Sequence, residues 1–180
     1  AAHRVEGLDL ENIRFYPNMI HGHSVMSSGV KFIHFGRKIQ KDQPKDYAND
    51  WAILVLKENL GEMYGYLRIS YAEPDLISVV GYSSDLDSGL TPSIHKNCNV
   101  MKRYDNGAFE HDCDTAIGSS GGPVLVFDDR QEPVIVGVNF GERRKQGERS
   151  LPLPKFTSEF ANGGLSIKNA QGVLEQFEAI

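Results

Sequence analysis

A serine in a glycine-rich turn is the residue of this sequence best suited to chemistry. Residues 118–123 read Gly-Ser-Ser-Gly-Gly-Pro, and the apolar run 124–127 follows them directly. A serine hydroxyl becomes a nucleophile when a histidine accepts its proton and a carboxylate orients that histidine. The tetrahedral intermediate also needs backbone N–H donors, which glycine-rich turns present. The turn predicts acyl-transfer chemistry at Ser120, although a plain Gly/Ser surface loop has the same composition.

The order of the candidate residues along the chain separates the classes of serine hydrolase. Residues 118–122 also fit the nucleophile elbow of α/β-hydrolases, whose histidine follows the serine. All six histidines of this chain precede Ser120, which excludes that class. A subtilisin-type enzyme, suggested by residues 21–24 (His-Gly-His-Ser), needs an upstream Asp in a glycine turn, and none is present. The order that remains, His then Asp then Ser, is that of chymotrypsin-type enzymes.

Three segments resemble the catalytic motifs of the trypsin-like serine protease superfamily. The segment Ala-Ala-His at residues 1–3 resembles the one that carries the catalytic base, and Asn-Asp-Trp-Ala-Ile-Leu at 49–54 resembles the one whose aspartate orients that base. Residues 118–123 resemble Gly-Asp-Ser-Gly-Gly-Pro, the nucleophile motif. The resemblance implies a triad of His3, Asp50 and Ser120.

The same resemblance implies the groups that bind the reacting substrate. Backbone N–H groups of Gly118 and Ser120 are expected to form the oxyanion hole. Residues 136–141 resemble the strand that pairs with the substrate backbone, which implies contacts by Asn139, Phe140 and Gly141.

The implied activity is that of a serine endopeptidase that hydrolyses polypeptides through an acyl-enzyme without a cofactor. Two other functions share these residues. A trypsin-like domain without activity acts as a protein-binding module, and an esterase uses the same triad.

The motifs depart from those of animal trypsins in ways that bear on activation and specificity. Ser119 replaces the Asp that captures a newly cleaved N-terminus, and Arg4 replaces a Cys. The short spacing and few cysteines resemble the compact bacterial branch that includes glutamyl endopeptidases. Asp114 stands where trypsin has the carboxylate of its specificity pocket, so cleavage after basic residues is the preferred prediction. Glutamyl specificity, for which Thr115 is suitably placed, and broad specificity remain open.

The two cysteines, Cys98 and Cys113, flank a predicted hairpin and are expected to form a disulfide rather than two free thiols. A disulfide, together with the resemblance, predicts a secreted or periplasmic protein. His21 and His23 alternate as on a strand, but no third ligand accompanies them, so a polar surface pair is favoured over a metal site.

The pattern of short apolar runs predicts an all-β fold. Six runs are separated by turn residues: 13–16, 30–35, 51–56, 76–82, 123–127 and 133–140. Residues 128–131 are expected to form a hairpin turn, residues 83–97 a long loop, and Ser166–Phe177 an amphipathic helix after a break at 162–164.

The resemblance assigns these elements to two six-stranded antiparallel Greek-key barrels, the first incomplete, with a C-terminal helix. Residues 1–70 are expected to form the remainder of the N-terminal barrel, 71–165 the second barrel, and 166–180 the helix. The strands that precede the histidine in the family are missing, which predicts a truncated protein or a companion N-terminal segment or chain.

Composition limits the partners. The chain has 180 residues and a net charge of -5, so a nucleic-acid interface is not indicated. No apolar run reaches the length of a membrane span.

Overall fold

A computed structural model describes residues 7–36, 48–142 and 161–178 of the chain. Ten strands and two short helices make up its regular structure. The strands are β1 (Arg14–Phe15), β2 (Ser28–Phe35), β3 (Ala52–Leu56), β4 (Arg68–Ile69), β5 (Leu76–Gly81), β6 (Ser93–Arg103), β7 (Ala108–His111), β8 (Pro123–Phe127), β9 (Pro133–Glu142) and β10 (Asn162–Ser166). The helices are α1 (Leu60–Tyr64) and α2 (Gln171–Glu178), the second preceded by a 3-10 turn at Ile167–Ala170.

Six antiparallel strands form a closed barrel in the order β10-β7-β6-β5-β8-β9, because β10 pairs with both β7 and β9. The short strand β4 adds to β9 in parallel. Within the described residues, β1, β2 and β3 form a separate three-stranded antiparallel sheet. The predicted mostly β architecture with a C-terminal helix is confirmed.

The barrel core consists of the inward side chains of its alternating strands. A cluster of buried residues fills it: Ile77, Val79, Cys98, Phe109, Cys113, Val124 and Val136. Each of the six predicted apolar runs overlaps a strand, and the hairpin turn joins β8 to β9, closed by a bond from the Gln131 N–H to the Asp128 carbonyl (2.8 Å).

Two sequence-based expectations about secondary structure were wrong. The predicted loop at 83–97 ends early, because β6 begins at Ser93. The predicted break at 162–164 lies in β10, the strand that closes the barrel. The glycines there make room for aromatic rings: a Cβ added at Gly163 or Gly164 would lie 2.3 Å from the ring of Phe140 or Phe109 respectively.

The C-terminal helix joins the two sheets. Val173 and Leu174 pack against a buried cluster that includes Trp51, the residue before β3 of the first sheet, and Leu165 from the barrel. On the same helix, Phe177 stacks against Phe32 of β2, with 6.2 Å between the ring centroids. Burial of this apolar face stabilises a helix too short to persist alone in water.

Candidate active site

Ser120 lies in a tight turn between the barrel strands β7 and β8. The Ser119 N–H bonds to the Ala116 carbonyl (3.2 Å), and the Gly122 N–H bonds to the Ser119 carbonyl (3.0 Å). Gly118 and Gly122 both require glycine. Gly118 has φ +106°, and a Cβ at Gly122 would lie 2.0 Å from the Val80 carbonyl oxygen.

The hydroxyl of Ser120 is only partly buried and faces the end of β9. Its Oγ donates to the carbonyl of Phe140 at 3.2 Å. A Cβ added at the next residue, Gly141, would lie 2.9 Å from that same Oγ. The structure therefore brings Ser120, Phe140 and Gly141 together at the point where β9 passes the turn.

Two backbone N–H groups of this turn have no acceptor within the described part of the chain. They belong to Gly118 and Ser120, whereas the N–H groups of Ser119, Gly121 and Gly122 all bond to carbonyls. Free N–H donors next to a serine hydroxyl are the requirement for stabilising an oxyanion.

Asp50 is 2% exposed and lies just before β3. Its neighbours anchor the segment on both sides. The Ala48 carbonyl accepts from Asn169 Nδ2 (2.7 Å), and the Trp51 carbonyl accepts from the Gly36 N–H (3.0 Å). Ala48 and Trp51 also belong to the buried cluster against which Phe140 packs, so the segment that carries Asp50 is fixed to the strand beside Ser120. His3 lies outside the described residues.

The predicted disulfide between Cys98 and Cys113 is present. It ties β6 to the start of the segment that leads into the turn that carries Ser120. Two further bonds hold the same place, from Asn99 Nδ2 to the Asp112 carboxylate (2.8 Å) and from Asn162 Nδ2 to the Cys113 carbonyl (2.5 Å). The entry to the turn is therefore linked covalently and by hydrogen bonds to the barrel wall.

Asp114 and Thr115 line a cavity of about 280 Å³ on the barrel. Asp114 is exposed and Thr115 buried, and the Asp114 N–H donates to Nδ1 of His95. Asn139, Phe140 and Gly141 do not line this cavity. Its remaining lining residues are Val79, Gly81, Ser83, Asp85, Leu86, Ser93, Ile94, His95 and Ser119.

Ser119 is buried and its hydroxyl bonds to that of Ser83 at the wall of this cavity. A neutral pair of hydroxyls thus lies at the wall of the cavity.

His21 forms a surface contact. Its Nδ1 lies 2.8 Å from the Asp87 carboxylate, which also accepts from the Thr91 hydroxyl at 2.6 Å. Among the residues that the structure describes, no group of three potential metal ligands occurs.

Sequence reasoning missed a buried histidine next to the turn. His111 on β7 is 0% exposed, and its Nε2 lies 3.2 Å from Oδ1 of Asn139. Burial lowers the pKa of His111 to about 4, and the hydrogen bond to Asn139 and the charge of Asp112 offset this only in part. The imidazole is therefore neutral near pH 7. Nothing in the run Ala-Phe-Glu-His at 108–111 marks that histidine, because strand pairing alone decides which of these side chains faces inward.

This histidine predicts a loss of stability in acid. The unfolded chain binds a proton at His111 near the ordinary pKa of 6.5, whereas the folded protein does so only near pH 4. The unfolded state binds more protons as pH falls between these values, so the free energy of unfolding should drop by about 3 kcal/mol. Urea unfolding of the unsubstituted protein and of His111→Gln at pH 7 and pH 4 measures how much of the loss of unfolding free energy comes from His111. Equal pH dependence in both proteins would contradict it.

Within the described residues, no helix is long and apolar enough to cross a membrane.

Comparison with known proteins identifies the fold. No protein-family model and no curated protein sequence matches the chain. Among solved structures, a Glu endopeptidase in complex with MPD aligns with a TM-score of 0.63 and 19% identity, over 89% of this chain and 70% of that one. A thermostable serine protease, AL20, from an extremophilic microorganism aligns with a TM-score of 0.64 and 18% identity, over 88% of this chain and 71% of that one.

An inactivated protease paralogue of the scabies mite aligns with a TM-score of 0.66 and 15% identity, over 99% of this chain and 82% of that one. The chain has the fold of the trypsin-like serine proteases. Because one of these structures is described as inactivated, the fold alone does not decide activity.

Proposed function

We propose that the protein is a serine endopeptidase with Ser120 as its nucleophile. The observation that carries the proposal is the turn itself, in which the partly exposed Ser120 stands together with two backbone N–H groups, those of Gly118 and Ser120, that have no acceptor among the described residues. This pairing of a nucleophile with an oxyanion site is what acyl transfer requires.

In the proposed mechanism, His3 removes the proton from Ser120 as the hydroxyl attacks the scissile carbonyl, and then protonates the leaving amine. Asp50 fixes the tautomer of His3 and stabilises the imidazolium. The N–H groups of Gly118 and Ser120 bind the oxyanion of both tetrahedral intermediates. Phe140 and Gly141 bind the substrate backbone beside the nucleophile, and water then hydrolyses the acyl-enzyme.

Reaction with a fluorophosphonate probe tests this function. The folded protein should form one adduct, and peptide mapping by mass spectrometry should place it on Ser120. Protein unfolded in urea is the control and should not react, because an unactivated serine is a poor nucleophile. Absence of the adduct on Ser120 in folded protein would favour the binding-module function, which the inactivated paralogue makes a serious competitor.

Ester and peptide substrates separate the two enzymatic functions. Hydrolysis of a peptide bond after acylation of Ser120 supports the endopeptidase, whereas turnover of esters alone supports an esterase with the same triad.

Specificity for basic residues remains a proposal carried by Asp114. Its exposed carboxylate lines the cavity together with Thr115. A Lys or Arg side chain that reached this carboxylate would gain a charge-assisted hydrogen bond. Peptides that differ only in the residue before the scissile bond decide between basic, glutamyl and broad specificity. Asp114→Asn should abolish a preference for basic residues, whereas a glutamyl or a broad specificity should be unchanged by this substitution.

The disulfide supports a secreted or periplasmic location, because such bonds persist in oxidising compartments. We further propose that polypeptides are the substrates and that the protein is related to the compact bacterial branch.

A further inference from the structure

Asn139 on β9 makes four hydrogen bonds to other described residues, and three of these bonds involve the residues on either side of Ser120. Its N–H donates to the Gly122 carbonyl (2.9 Å), and its carbonyl accepts from the Gly121 N–H (2.7 Å). Its side-chain Nδ2 donates to the Ser119 carbonyl (3.0 Å). Asn139 is 0% exposed, so its polar groups are used inside the protein. It therefore holds the residues on both sides of Ser120.

The fourth bond, from His111, fixes the direction of the Asn139 amide. Both N–H groups of that amide are on Nδ2, which points at the Ser119 carbonyl. The atom that faces His111 is therefore Oδ1, which can only accept, so His111 Nε2 at 3.2 Å must donate. Rotation of the amide by 180° would place two oxygens against each other at Ser119. Only the Nε2–H form of His111 supports the observed orientation.

The Ser119 carbonyl matters because of the planar peptide bond. The carbonyl of Ser119 and the N–H of Ser120 belong to one peptide unit and point in opposite directions when that unit is trans. Holding the carbonyl toward Asn139 therefore aims the Ser120 N–H the other way. This N–H has no acceptor among the described residues.

We infer that His111 is a positioning residue, which acts through Asn139 to hold the peptide unit between Ser119 and Ser120 in the orientation that directs the Ser120 N–H at the oxyanion. This inference rests on the proposed function of Ser120. The Ser119 carbonyl also accepts from the Gly122 N–H, so the loss of His111 loosens the unit without releasing it. The expected effect on turnover is therefore smaller than the loss of a whole oxyanion donor.

Two substitutions of His111 test the inference. His111→Leu fills the space without a donor, whereas His111→Gln places an amide N–H near the position of Nε2. We expect kcat for a peptide or ester substrate to fall about 10- to 100-fold in His111→Leu, with KM changed less than about threefold. His111→Gln should recover most of kcat.

A buried substitution elsewhere in the barrel controls for loss of stability. Ile77 on β5 is 3% exposed, so Ile77→Ala should lower Tm while leaving kcat per folded molecule within about threefold of the original. All rates are measured well below the Tm of each variant and normalised to folded protein. If His111→Leu keeps full kcat, or if Ile77→Ala loses as much kcat as His111→Leu, the inference is overturned.

Substitution of Asn139 gives an independent readout should His111→Leu not fold. Asn139→Leu removes the bond to Ser119 directly, and we expect the same loss of kcat with little change in KM. Because both residues act along one path, the double variant should be no slower than Asn139→Leu alone. If the fold-losses of kcat in the two single variants multiply in the double variant, His111 and Asn139 act independently, and the proposal that His111 acts through Asn139 is contradicted. If the unsubstituted protein has no activity, the proposed function itself is rejected. Failure of the proposed function can therefore be distinguished from failure of the positioning role of His111.

Discussion

Replacement of Ser120 by alanine is expected to lower kcat for peptide hydrolysis about 10⁶-fold while the protein remains folded. The loss is large because the hydroxyl supplies the bond that forms in the acyl-enzyme. The fold should survive because Ser120 is partly exposed and, among the described residues, its Oγ bonds to the Phe140 carbonyl alone. Steady-state kinetics and thermal unfolding measure the two effects.

Ser28→Ala is the matched control for this change. The Ser28 hydroxyl is buried in the first sheet, where it accepts from the Glu58 N–H at 3.0 Å. Its removal should cost about 1 kcal/mol of stability and leave kcat unchanged. A Ser120→Ala protein that hydrolyses peptides at the original rate would show that another residue is the nucleophile.

Replacement of Asp50 by asparagine is expected to lower kcat about 10⁴-fold, with KM changed much less. Asparagine has nearly the same shape, so the buried site keeps its packing. It lacks the negative charge that stabilises the imidazolium, and it favours the wrong tautomer of the base. Steady-state kinetics across pH, with circular dichroism to confirm folding, measure the effect.

Asp128→Asn is the corresponding control at a distance from the site. Asp128 bonds to Arg68 and to two backbone N–H groups of the β8–β9 hairpin turn, so its carboxylate is structural. This change should leave kcat unaltered. A small effect of Asp50→Asn, similar to that of Asp128→Asn, would remove Asp50 from the mechanism.

The strands that the sequence predicted well are those with a strong local signal. Residues 123–127 and 133–140 are apolar runs bounded by turn residues, and they became β8 and β9. Strand β6 gave no such signal. Its sequence from Ser93 to Arg103 is mostly polar and most of its residues are exposed, so pairing with β5 and β7 makes it a strand rather than its own composition.

Glycine at 163 and 164 misled the prediction for a physical reason. Glycine in a sequence usually indicates a turn, but here two aromatic rings from Phe140 and Phe109 occupy the space that a side chain would fill. Long-range packing of this kind leaves no trace in the local pattern.

The residues of the candidate site also differ in whether the local sequence reveals them. Ser120 and its glycines form one contiguous motif, which is why they were recognisable. His111 and Asn139 are distant in sequence and meet only when β10 closes the barrel between their strands, so their pairing depends on topology.

Trapping of the acyl-enzyme is the most direct test of the central claim, that Ser120 is a catalytic nucleophile. The protein is mixed with an activated ester that acylates faster than it deacylates, quenched in acid within milliseconds, and mapped by mass spectrometry. We expect a burst of product of one equivalent per folded molecule and one acyl group on Ser120. Sustained turnover with no acyl group on Ser120, or with the group on another residue, would contradict the claim.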